Sequence, residues 1–156
     1  MLRERAQTVN ASDMSQDLRN AGKYQLSGQV GYNLRRANQR HVAIFTKHVQ
    51  GLTPTQFAVL ARLRESGALS QNKLGRLTAM DSATIKGVVG RLRDKGLVES
   101  SADQSDQRLR LIAMTQRGRD TFDVAVQQAL QARRETVERL TDEEVAVFES
   151  LLAKLT

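Results

Sequence analysis

The sharpest alternation of apolar and polar positions falls between Asp81 and Lys95, where Ile85, Val88, Val89 and Leu92 recur at i, i+3, i+4 and i+7. This spacing predicts a helix that buries one face. The opposite face carries Ser82, Thr84, Lys86, Gly87, Gly90 and Arg93, all small, hydroxylated or cationic. A helix packed on one side and presenting such a surface on the other suits the major groove of DNA. Gly87 and Gly90 each cost about 0.5–1 kcal/mol relative to Ala inside a helix. Close approach of the backbone to another surface, either DNA or a packed helix, would explain their presence.

Elements before and after this helix follow from the same patterning. A first long helix is predicted over Leu26 to Val49, with a heptad-like inward row of Val30, Leu34, Ala37, His41, Ile44 and His48. Gly51 ends it. Thr53-Pro54-Thr55-Gln56 then reads as a helix start, with a Thr cap, Pro at the first helical position and Gln56 closing a capping box. Phe57, Leu60, Ala61 and Leu63 form the apolar side of that helix, and Gly67 stops it. Ser70 caps a short helix with Leu74 and Leu77 inward, and a turn over Thr78 to Asp81 leads to the helix described first. Gly96 stands at a left-handed helix end. Leu97 and Val98 begin a strand, Asp103 to Gln107 has turn chemistry, and Arg108-Leu109-Arg110-Leu111 alternates as a half-buried strand does. Thr115 caps a helix with Phe122, Val126, Ala129 and Leu130 in line, running to about Arg139. Thr141 and Glu144 form a second capping box ahead of Val145, Phe148, Leu151, Leu152 and Leu155.

The predicted fold class is therefore mainly α with a small β wing: a winged helix-turn-helix domain at 51–115 with terminal helices at 23–50 and 116–156. The terminal helices carry more apolar surface than so small a domain can cover, which predicts packing against a second copy in a two-fold dimer. Met1 to Gly22 is polar with scattered charges, lacks the apolar stretch of a secretory signal, and is expected to be a flexible arm or a short helix ordered by a partner.

Composition narrows the function classes. Among 156 residues there is no Cys, which removes disulfides, thiolate metal sites and cysteine redox sensing, and fits a cytoplasmic protein. No apolar run approaches membrane-spanning length, so no membrane partner is expected. The net charge of +7 favours a polyanionic partner. Its distribution is uneven. Between Asp17 and Glu65 there is no acid, whereas Arg19, Lys23, Arg35, Arg36, Arg40, Lys47, Arg62 and Arg64 fall in that interval. Beside a candidate reading helix, this interval is expected to face DNA. His41 and His48, the only histidines, are either satisfied half-buried side chains or part of the lining of a small-molecule cavity. Seven residues of helix separate them by roughly 10 Å, too far to chelate one ion together, and neither a metal nor a cofactor is expected. With no Gly-rich phosphate loop, no HExxH and no nucleophile elbow, the chain does not read as an enzyme.

Taken together, several segments resemble the MarR-type winged helix-turn-helix transcriptional regulators over about Leu26 to Leu155. They are Leu52 to Leu60, Ser82-Ala83-Thr84, Val88 to Leu92, Lys95-Gly96-Leu97-Val98, Asp106-Gln107-Arg108 and Met114-Thr115-Gln116-Arg117-Gly118. The resemblance implies a homodimer gripping a palindromic operator in double-stranded DNA, most often as a repressor. The Asp81–Lys95 helix would enter the major groove, and the wing would reach the minor groove. Where the family often has Asp-Arg-Arg, this chain has Asp106-Gln107-Arg108, so Arg108 and Arg110 both stand as candidates for the minor-groove cation. The DNA-contact candidates are Ser70, Gln71, Ser82, Thr84, Lys86, Gly87, Arg91, Arg93, Arg108 and Arg110, with Arg91 equally suited to a structural ion pair. Many members of the family release DNA on binding small aromatic acids in a cleft beside the first helix. By that resemblance the effector liners here are Tyr32, Arg40, His41, Phe45, His48 and Arg62. A cation beside an aromatic wall suits an aromatic carboxylate. The rival reading is a ligand-independent or architectural DNA-binding protein.

Overall fold

The computed structural model describes residues 25–102 and 110–156, which divide inside the first long helix into a short unit ending at Asn38 and a larger unit from Gln39 onward. In the short unit the predicted continuous helix is interrupted. Leu26–Gly28 forms a single 3₁₀ turn, Gln29 is extended (φ −84°, ψ 128°), and helix α1 begins at Val30. Gly28 weakens the helix here, and the Asn33 amide donates to the Ser27 carbonyl at 3.1 Å, closing the turn locally.

In the larger unit α1 (Val30–His48) buries Ile44 and Phe45 and ends before Gly51, which adopts φ +78°. Helix α2 (Pro54–Ser66) has the predicted capping box: Thr53 Oγ1 accepts from the Gln56 N–H at 3.2 Å, and Gln56 Oε1 accepts from the Thr53 N–H at 3.1 Å. Strand β1 (Leu69–Ser70), helix α3 (Gln71–Leu77) and helix α4 (Ser82–Asp94) follow. Ala79, at φ +52°, makes the turn between α3 and α4. Strands β2 (Val98–Ala102) and β3 (Arg110–Met114) pair antiparallel, with Val98 opposite Met114.

The sheet has three strands in the order β1-β3-β2, one more than the hairpin expected from the sequence. The added strand is only two residues long, with Leu69 opposite Ile112 and Ser70 opposite Leu111, a pairing between distant segments that leaves no periodicity to read. The phase of β3 also differs. Ile112 and Met114 are buried while Leu111 is half-buried, so the buried row has the parity of Arg110.

Helix α5 (Gln116–Val137) starts on Thr115, whose hydroxyl accepts from the Gly118 N–H at 3.0 Å. Thr115 also donates its N–H to the Leu97 carbonyl at 3.1 Å and its hydroxyl to the Gly96 carbonyl at 2.7 Å, tying the helix start to the base of the wing. Gly118 is buried against that base, and a Cβ there would fall within the Leu97 carbonyl group. Helix α6 (Asp142–Ala153) carries the second capping box, Thr141 with Glu144.

One core joins α1 to α5. Leu60, Leu74, Ile85 and Leu92 are fully buried, and Ile85, Val88, Val89 and Leu92 supply the α4 face that the spacing predicts. Aromatic rings are scarce but gathered: Phe57 packs edge-on to Phe45 (5.6 Å between centroids) and stacks on Phe122 (5.2 Å). Leu130, expected inward, is exposed, and Ala125 and Ala132 take the buried positions on α5. The apolar row of α6 and the residues just after it is open in the single chain, with Val147, Phe148, Leu151 and Leu155 between 43% and 67% exposed.

Candidate nucleic-acid interface

Burial of Ile85, Val88, Val89 and Leu92 turns the remaining side of α4 outward. The helix enters from Asp81, whose carboxylate accepts from the Thr84 N–H at 2.7 Å. That bond, helped by the Thr84 hydroxyl, holds the Asp81 pKa below the ordinary carboxylate range. Asp81 thus occupies the positive end of α4 and fixes its first turn, leaving the side chains further along the exposed side free.

Those side chains face an open groove of about 540 Å³ between α4 and the wing sheet, lined among others by Gln71, Lys86, Gly90, Arg93, Glu99 and Arg110. Three cations meet one carboxylate there, so the groove attracts anions. Arg110 reaches it because the shifted phase of β3 puts Arg110 on the same row as Ile112 and Met114. Of the sequence-predicted contacts, Gln71, Lys86, Arg93 and Arg110 are brought together. Ser82 and Thr84 are exposed on the first turn of α4. Ser70 serves locally, its hydroxyl accepting from the Lys73 N–H at 3.4 Å while its backbone lies in β1. The Arg91 guanidinium lies back over Gly87, with Nη1 3.4 Å from where a Cβ would stand. Arg108 lies outside the described residues. Among the described residues no atom stands within 4 Å of a Cβ built on Gly90, so no helix of the described chain packs on that glycine. Glu99 and Ser100 also line the groove. Their place depends on strand pairing, and nothing in the local pattern marked them.

A second polar group ties α1 to α5. Arg40 donates to the carbonyls of Thr136 (2.6 Å) and Glu135 (3.2 Å) and to the Glu138 carboxylate (2.8 Å), satisfying the end of α5. The Thr136 hydroxyl already donates to the Ala132 carbonyl (2.7 Å), so its contact with His41 Nδ1 (3.1 Å) requires that ring nitrogen to donate. His48 Nε2 donates to Glu135 at 2.6 Å, and Lys47 contacts the same carboxylate at 3.0 Å. The bond from His48, then that from Lys47, holds Glu135 below the usual pKa of a glutamate. Phe45 lies beneath, 4% exposed, with the His41 ring 6.1 Å away. Arg40, His41, Phe45 and His48 are therefore one cluster. Arg62 is turned to Glu65 on its own helix (2.7 Å). Tyr32, in the short unit, has the Arg35 and Arg36 guanidinium groups 5.5 and 5.7 Å from its ring.

These contacts correct the reading of the acid-free interval as a DNA-facing run. Arg40 and Lys47 meet Glu138 and Glu135, Arg64 lies 3.5 Å from Asp123, and Arg62 meets Glu65. Arg40, Lys47 and Arg64 are thus paired with acids placed late in the sequence, because α1 and α2 meet α5, while Arg35 and Arg36 lie by Tyr32 and Arg19 and Lys23 lie outside the described residues. The cations left to the groove come from α4 and β3. Among the described residues no cluster of His, Asp or Glu is arranged to hold a metal ion, and no helix is long and apolar enough to cross a membrane.

A buried-faced helix after a tight turn, a three-stranded wing and a basic groove between them define a winged helix-turn-helix DNA-binding protein. The sequence profile of the MarR family matches residues 52–109. The transcriptional repressor NicR of Pseudomonas putida is 41% identical over 105 residues, 66% of this chain and 66% of NicR. A probable transcriptional regulator from Pseudomonas aeruginosa has a solved structure 45% identical, matching 85% of this chain and all of that one at a TM-score of 0.83. BpsR of Bordetella bronchiseptica, whose DNA binding is regulated by 6-hydroxynicotinic acid, is 40% identical over 85% of this chain and 96% of its own, at a TM-score of 0.81. The chain belongs to the MarR family: it is a DNA-binding transcriptional regulator and not an enzyme.

Proposed function

We propose that this regulator is a cytoplasmic repressor that binds palindromic promoter DNA as a homodimer and releases it when a small aromatic or heteroaromatic carboxylate binds. The observation that carries the reading is α4, which buries one face completely and turns Lys86, Gly90 and Arg93 into a groove shared with Arg110. In this reading residues 51–115 hold the DNA and segments 23–50 and 116–156 dimerise. The exposed row Val147, Phe148, Leu151 and Leu155 supports dimerisation, because a lone chain would leave it in water. Ser82, Thr84, Lys86 and Arg93 reach phosphates and base edges, while Arg110 and Arg108 serve the wing.

The effector reading rests on Arg40, His41, Phe45 and His48. Arg40 holds Glu138 in a charge-assisted bond with both side chains partly in solvent (36% and 52% exposed). A ligand carboxylate exchanges with Glu138 there, its ring meets the imidazole of His41, and the end of α5 is freed. NicR is named a repressor, the sign of control proposed here, and BpsR responds to a pyridine carboxylate, which supports the ligand class. Titration calorimetry of the purified protein with benzoate, hydroxybenzoates, nicotinate and 6-hydroxynicotinate tests this. Saturable binding of one acid, abolished by Arg40→Met, is expected. No heat with any acid would leave a constitutively bound regulator instead.

A further inference from the structure

Lys95 is a cation at the end of the reading helix, yet it does not face the groove. Its backbone N–H donates to the Arg91 carbonyl at 3.2 Å, and Gly96, at φ +69°, turns the chain into the wing. Its side chain runs the other way, toward the turn after α1. Nζ donates to the Gly51 carbonyl at 2.6 Å and to Gln56 Oε1 at 3.2 Å. Gln56 is 2% exposed and its Oε1 also accepts from the Thr53 N–H, so this ammonium is joined to a built, buried polar group. Two of its three protons thus go to protein acceptors, although the residue itself is exposed. The same turn follows the last residues of α1, where His48 is held by Glu135.

Resting on the DNA-binding reading above, we propose that Lys95 is a positioning residue. It clamps the C-terminal end of α4 to the α1–α2 turn and so sets the angle at which the reading helix is offered to DNA, without contacting a phosphate. A phosphate-contacting cation and a positioning cation differ in one measurable respect. Losing the first releases fewer counterions, so the slope of log K against log salt falls by about one per contact. Losing the second weakens binding at an unchanged slope.

The experiment compares wild type, Lys95→Met, Lys95→Arg and Lys86→Met as full chains on the upstream duplex over a salt series, well below their melting temperatures. Lys95→Met is expected to bind about ten-fold more weakly with the wild-type slope. Lys95→Arg restores most of that loss, and Lys86→Met lowers the slope. Hydrogen exchange supplies a readout independent of DNA: amides from Arg93 to Leu97 exchange at least about ten-fold faster in Lys95→Met, while those of α5 do not change. Should Lys95→Met fold poorly, Lys95→Gln carries the same comparison. Wild-type affinity in Lys95→Met, a slope lowered as in Lys86→Met, or unchanged exchange at the end of α4 would overturn the proposal. Failure of the wild type to prefer its own duplex would sink the DNA reading instead, with the exchange result still deciding the clamp.

Discussion

Replacing Gly90 by alanine should separate stability from function in this protein. Gly90 is inside α4, and a Cβ there meets no atom of the described residues within 4 Å. The methyl therefore strains nothing in the free protein, and the substitution removes the conformational freedom that glycine has in the unfolded chain. That gain is about 0.5–1 kcal/mol. For a chain of this length it raises Tm by about 2–4 °C per kcal/mol. The same methyl projects into the groove lined by Lys86, Arg93 and Arg110, where the proposed reading brings the helix backbone close to DNA. Forcing the helix outward by a fraction of an ångström lengthens several charge-assisted bonds at once, so affinity should fall about ten-fold or more. Thermal melts of Gly90→Ala followed by DNA titration at fixed salt give both numbers. A lower Tm would refute the claim that this face is open. A higher Tm with unchanged DNA affinity would refute the claim that it meets DNA.

Three further outcomes are expected. Gly118→Ala, in which the new Cβ overlaps the Leu97 carbonyl, must pull the start of α5 off the wing and loosen the Thr115 bonds to Gly96 and Leu97. A loss of about 3 kcal/mol in denaturant unfolding is expected, and a change below 1 kcal/mol would show that the contact relaxes freely. Glu135 has a folded pKa held below its unfolded value, so its contribution to stability is present above the unfolded glutamate pKa and fades as pH falls through the lower, folded one. Glu135→Gln should therefore melt below wild type at pH 7, with the gap closing under about pH 4, and a gap constant from pH 7 to pH 3 would contradict that origin. Leu151→Glu, placing a charge in the exposed α6 row, should shift sedimentation from dimer to monomer and weaken DNA binding; a variant that still sediments as a dimer would put the interface elsewhere.

What the sequence made legible was local. The face of α4 follows from four residues at helical spacing, and both capping boxes follow from Thr-x-x-Gln and Thr-x-x-Glu with no knowledge of the rest of the chain. Gly96 could be read as a helix end because a positive φ requires little else. What escaped was set by segments far apart in sequence. Strand β1 exists because Leu69 and Ser70 meet Ile112 and Leu111, and the buried parity of β3 is decided by Ile112 and Met114 against the core rather than by the Arg-Leu alternation before them. Arg40, Lys47 and Arg64 read as a basic surface until α5 brings Glu138, Glu135 and Asp123 to them. Phe45 was marked as a candidate liner and is also a core residue under His41. The site was legible to the same degree: Lys86 and Arg93 came from the α4 pattern, whereas Glu99 entered through the sheet.

In the proposed reading, the Lys95 contacts and the α1–α5 cluster would lie along one route between effector and DNA. Glu135 and Glu138 hold the last turns of α5 to His48 and Arg40, α1 ends at the turn that offers the Gly51 carbonyl, and Lys95 ties that turn to α4. Each of these three contacts is a hydrogen bond of 2.6 to 2.8 Å between groups on different elements.

The central claim is tested most directly by fluorescence anisotropy of the full chain on its own upstream duplex, with a shuffled duplex as competitor, at physiological salt, with and without 6-hydroxynicotinate and its relatives. The account predicts tight binding that the shuffled duplex does not displace and that one acid releases. Binding indifferent to both sequence and acid would contradict it and leave a constitutive, architectural DNA-binding protein.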